Sequence, residues 1–149
     1  MMINELLILG YILLIFVSIA FWEAYIEGKN GWASKSVGWR MKKNLIFIKG
    51  ITAYHFWSWI IMIPMFLALP LIIYGFDLKI FGILATGYFW GAILQDFLWF
   101  VVNPVFPFKD FNSKKVKWHR WFKIGKFEIP QGYIVYFLLG LIIWKLLVV

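Results

Sequence analysis

IFGILATGYFWGAILQDFLWFVV, residues 80–102, is a run of 23 residues holding a single charged residue, Asp96. A helix crosses the hydrocarbon core of a bilayer in roughly 20 apolar residues. The run is continuous rather than alternating. In lipid only a helix or a closed barrel pairs every backbone polar group, so the stretch is expected to be a membrane helix. Three more runs of the same kind lie at about 6–27, 51–74 and 131–149. The expectation is an all-α integral membrane protein, a four-transmembrane-helix bundle forming one domain over residues 1–149.

Composition agrees. Apolar residues make up 63% of the chain and charged residues 15%. A soluble domain holds roughly half and a quarter. A chain of 149 residues cannot hide that much apolar surface in its own core, so lipid must cover the excess. The absence of cysteine excludes disulfides, thiolate metal sites and thiol nucleophiles. Residues 1–5 carry no Lys or Arg, the basic start of a cleaved signal peptide, so the first span is expected to be retained.

The net charge of +8 would suggest nucleic acid in a soluble protein, but here the bases sit between the spans. Loops 28–50 and 103–130 carry 13 of the 15 Lys and Arg residues. The positive-inside rule places both loops in the cytoplasm and both termini outside, in a multi-pass cell-membrane protein. The partners expected are membrane lipids with anionic head groups, not nucleic acid. Loop 103–130 also interleaves aromatics with bases, as in Trp118-His119-Arg120-Trp121-Phe122. That pattern suits a structured aromatic-basic interfacial loop between helices 3 and 4.

Within the spans, Pro64 and Pro70 predict a bend, because each removes a backbone donor. Gly87 and Gly91 form a small-xxx-small pair that lets helices approach. Gly132, Tyr136, Gly140 and Trp144 make a second packing row.

Ionisable groups inside spans are costly and are candidates for function. Asp96 lies about two turns from the end of its span, and a carboxylate there must be paired, protonated or metal-bound. Glu23 and Glu27 lie one turn apart on one helical face. His55 falls at the depth of Glu23, and His119 reaches the same zone if its loop folds back over the helix ends. Glu128 could reach it too. All of these gather at one end of the bundle.

Glu23, Glu27, His55, Asp96 and His119 form a nitrogen/oxygen set of the kind that holds a divalent metal ion, although their spacing matches no known motif. Without metal, Asp96, His55 and Glu23 could act as acid and base on an amphiphilic substrate. Arg40 and Arg120 would then hold an anionic head group, with Trp99 and Asn103 completing the binding site. Two other readings stand beside this enzyme. One is a non-catalytic membrane subunit whose polar residues form a structural network. The other is a proton or metal-cation transporter working as a homo-oligomer, since Ser18, Thr86 and Tyr88 are the modest polar residues in the opposite half of the spans. A cavity lined by Glu23, His55 and Asp96 would favour the enzyme, a through-pore transport, and a fully bonded cluster the structural role.

Overall fold

Small residues on one central helix decide how the chain packs. The computed structural model describes residues 2–35, 37–41 and 50–149; Lys42, Lys43 and Lys49 of the first basic loop lie outside the described residues. Among the described residues, four helices long and apolar enough to cross a membrane carry the fold. They are α1 (Met2–Glu27), α2 (Ala53–Tyr74), α3 (Leu78–Val102) and α4 (Gln131–Val148). Each boundary falls within a few residues of the expected span.

α3 packs against α1 on one face and α4 on another. A Cβ at Gly87 would press on Ile12, and one at Gly91 would overlap the Phe16 ring, so both glycines let α1 lie close. On the other face Gly140 of α4 accommodates the Trp90 indole in the same way, and the Thr86 hydroxyl donates to the Gly140 carbonyl at 3.3 Å. Lys79 pairs with Glu5 at 2.7 Å, joining the starts of α3 and α1. These two helices therefore run parallel, and their C-terminal ends meet under loop 103–130.

Pro64 of α2 sits at a change of helical register. Thr52 caps the helix, its hydroxyl accepting from the His55 N–H at 3.2 Å. Residues Phe56–Met62 then wind as a π-helix, closed by the Ile63 N–H donating to the Ser58 carbonyl. In that register the next donor, to the Trp59 carbonyl, would be residue 64, and proline has none. The Tyr88 hydroxyl of α3 fills the gap, donating to that carbonyl at 2.8 Å.

Loop 103–130 folds back over the helix ends. Its Val116 is fully buried with Ala24, Trp99 and Phe100. Beyond it a short antiparallel hairpin pairs β1 (Trp121–Ile124) with β2 (Phe127–Pro130). Gly125, φ 58°, opens the two-residue turn, where a type II′ hairpin favours glycine. The ends of loop 28–50 pair as well, through Met41 N–H to the Ile51 carbonyl and Ala53 N–H to the Trp39 carbonyl, each 2.8 Å.

Gly91→Ala is expected to destabilise the protein by about 1–3 kcal/mol through overpacking against Phe16. Gly10→Ala, whose Cβ meets nothing within 4 Å, should not destabilise it. Thermal unfolding of the two variants in one detergent makes the comparison.

Candidate functional site

A cavity of about 150 Å³ opens where the four helices meet loop 103–130. Glu23, Glu27, His55, Asp96 and His119 all line it, with Trp99 beside them. Residues almost a hundred positions apart are thus brought to one space. Each of them also has local commitments that limit what it can do there.

Glu23 is buried and holds three neutral donors. Its Oε1 accepts from the Tyr54 hydroxyl at 2.7 Å and from the Trp59 indole at 3.0 Å, and its Oε2 from the Gln95 amide at 2.6 Å. A buried carboxylate left bare costs several kcal/mol, and each hydrogen bond to a charged group returns about 1.5–3 kcal/mol. The three bonds tie α1 to α2 and α3. Glu27, one turn on, accepts from the Ala33 N–H at 2.5 Å. Ala33 (φ 45°) and its neighbour Trp32 (φ 60°) both adopt the left-handed region, which side chains rarely favour. Glu27 anchors that strained turn, and the turn sets the Trp32 ring on His55 at a centroid distance of 3.9 Å.

His55 is buried, with its Nδ1 2.8 Å from the Thr52 hydroxyl. A hydroxyl that donates to Nδ1 places the ring proton on Nε2, the nitrogen with no partner among the described residues. Asp96 accepts from the Tyr133 hydroxyl of α4 at 2.5 Å. His119 Nε2 lies 3.0 Å from the same Asp96 oxygen, within ion-pair distance but misaligned for a hydrogen bond. Among the described residues the indole N–H of buried Trp99 also has no partner. The cavity wall thus carries an imidazole–carboxylate pair, a second imidazole and an unpaired indole donor.

The arginines expected to hold an anionic head group do not line the cavity. Arg40 donates to the Ala33 carbonyl at 3.1 Å and the Trp32 carbonyl at 3.4 Å, bracing the strained turn from outside. Arg120 is exposed. Asn103 does not extend the polar line either. Its amide donates to the Gly28 carbonyl at 2.8 Å, and its Oδ1 accepts from the N–H groups of Val105 and Phe106, turning the chain out of α3.

The five expected metal ligands share the cavity without converging on a point. Among the described residues no three His, Asp or Glu side chains group closely enough to hold a metal ion. Glu23 and Glu27 already accept from protein donors. The residues that sequence reasoning missed are those neutral partners: Tyr54, Trp59, Gln95, Thr52 and Tyr133. Their signal was proximity to an ionisable residue, as Tyr54 to His55 and Gln95 to Asp96.

Glu128 stays outside the cavity but holds the segment carrying His119. It accepts from the Ser113 N–H at 2.7 Å and the Ser113 hydroxyl at 3.0 Å, and pairs with Lys123 at 3.0 Å. This clamp joins the start of the segment to the hairpin beyond it. Comparison of the chain with protein-family models, with curated proteins and with solved structures gives no match.

The Ser113 N–H, followed by Lys123, lowers the Glu128 pKa to about 2. A depressed folded-state pKa gives stability that is complete above the usual carboxylate value of 4.5 and fades as pH falls towards 2. The near-ultraviolet signal of the loop tryptophans should therefore weaken across that interval. Glu128→Gln should start weaker at neutral pH and lose this part of the acid response; an unchanged acid profile would exclude the clamp.

Proposed function

We propose that this chain is a membrane-embedded enzyme performing acid–base chemistry on an amphiphilic substrate. The observation that supports it is the shared cavity: five ionisable residues from α1, α2, α3 and loop 103–130 line one space of about 150 Å³. By liquid water's volume that is room for about five waters, or for a small head group.

The roles follow from the partners. Imidazole is the side chain whose ordinary titration falls near neutral pH. His119, with Asp96 beside it, is the general base, because the carboxylate stabilises the imidazolium formed when a proton is taken. Tyr133 holds Asp96 in place. His55, with Nδ1 tied to Thr52, offers its Nε2–H as a hydrogen-bond donor to a substrate oxygen that gains negative charge. Glu23, engaged by three donors, positions the helices around these groups. The substrate's apolar part would lie against the aromatic wall, and Ile60, exposed on α2 yet part of the lining, marks a side route from the lipid.

The basic loops flank the same end of the bundle, so the positive-inside rule makes this end cytoplasmic and both termini external. A metal-dependent reaction would require Glu23 and Glu27 to exchange their present donors for the ion. A second reading, the non-catalytic subunit, draws on the Glu23 network, which joins three helices without any visible need for chemistry. Transport has less support, since Ser18, Thr86 and Tyr88 each donate to a backbone carbonyl rather than marking a path.

Expression of the wild type is expected to change the mass or abundance of one membrane amphiphile in total lipid extracts. Asp96→Asn and His119→Gln should abolish that change while unfolding within a few degrees of wild type. Identical extracts from all three would contradict an enzyme. Loss of folding in both variants, with wild-type extracts unchanged, would establish the structural network.

A further inference from the structure

The cavity wall joins carboxylates and aromatic rings to two imidazoles, with no Lys or Arg among the described residues that line it. Its carboxylates are Glu23, Glu27 and Asp96. Among the described residues no cationic nitrogen lies within ion-pair distance of Glu23 or Glu27, and Asp96 has only His119. Eight aromatic rings complete the lining, Trp32, Trp59 and Trp99 among them. An aromatic face attracts a cation through its negative quadrupole, most strongly where water is excluded. Carboxylates beside such rings add direct charge attraction.

The same wall disfavours the two other ligand classes. An anionic group would meet three carboxylates and, among the described lining residues, no Lys or Arg. A bare metal ion would find no three donors grouped to hold it. The unpaired groups add one more requirement. Among the described residues the indole N–H of Trp99, 4% exposed, has no partner, and His119 Nε2 is buried without a hydrogen bond. A buried donor needs an acceptor, so the ligand should bring an oxygen.

We propose that the cavity binds an organic cation, a quaternary ammonium or protonated amine with an acceptor oxygen a few bonds away. This rests on the reading of the cavity as a ligand site and names the class of ligand. The ammonium sits among the rings beside Glu27 and Asp96, and the oxygen takes the indole donor at Trp99. Such a group can come from a lipid head group or from a soluble amine.

Three isosteric probes separate charge from shape: choline, neutral 3,3-dimethylbutan-1-ol and anionic 3,3-dimethylbutanoate. Binding to the full chain in nanodiscs is read by tryptophan fluorescence. Choline should quench saturably and bind at least tenfold more tightly than either analogue. Glu27→Gln and Asp96→Asn should each weaken choline tenfold or more, while Asp110→Asn, outside the cavity, should not. Dodecyl(2-hydroxyethyl)dimethylammonium, corrected for partition into empty nanodiscs, assigns the source. Tighter binding than choline marks a lipid head group, and equal binding a soluble amine. If the anion binds best and Asp96→Asn removes it, the cavity is a ligand site but the cation assignment is overturned. If no probe binds the folded wild type, both the assignment and the ligand site fall.

Discussion

A carboxylate buried between apolar helices must be given donors, and Glu23 is where this fold meets that demand. Tyr54 and Trp59 reach it from α2 and Gln95 from α3. Lipid supplies no hydrophobic force between helices, so van der Waals contact and interhelical hydrogen bonds must hold them. The glycines of α3 provide the first for α1, and Glu23 provides the second for three helices together. The change of register before Pro64 belongs to the same arrangement. It lets Trp59 present its indole to Glu23 while Tyr88 satisfies the Trp59 carbonyl.

With the helices set in this way, the space above them belongs to loop 103–130. Val116 plugs the aromatic cluster at the ends of α1 and α3, and Glu128 clamps the segment between Ser113 and the hairpin. His119 is carried to Asp96 as a result. The cavity therefore depends on two unlike supports, a polar knot within the bundle and a folded loop across its end. The strained Trp32–Ala33 turn adds a third wall, held by Glu27 from inside and Arg40 from outside.

The four helices were legible because lipid imposes one rule, length without charge, that any sequence window reveals. Asp96, His55 and Glu23 were legible for the converse reason, as the few violations of that rule. Their partners were not, because Tyr, Trp, Gln and Thr are unexceptional in a membrane helix until a carboxylate stands opposite. Gln95 and Asp96 show the difficulty: adjacent in sequence, they turn to different faces of α3, one to Glu23 and the other to Tyr133 and His119. Arg40 and Arg120 were read by charge as ligands for an anion; Arg40 donates to backbone carbonyls and Arg120 lies exposed, neither of them on the cavity wall. The hairpin escaped notice because its residues fit the same aromatic-basic pattern as the rest of the loop.

The chain has two histidines, so the ring nitrogens of 15N-histidine-labelled protein give two sets of resonances. His119 should respond to Asp96 across the cavity, and His55 to Thr52 on its own helix. Asp96→Asn is predicted to move one set and leave the other in place, and Thr52→Val to do the reverse. If Asp96→Asn moves neither, loop 103–130 does not deliver His119 to α3, and the cavity described here does not form.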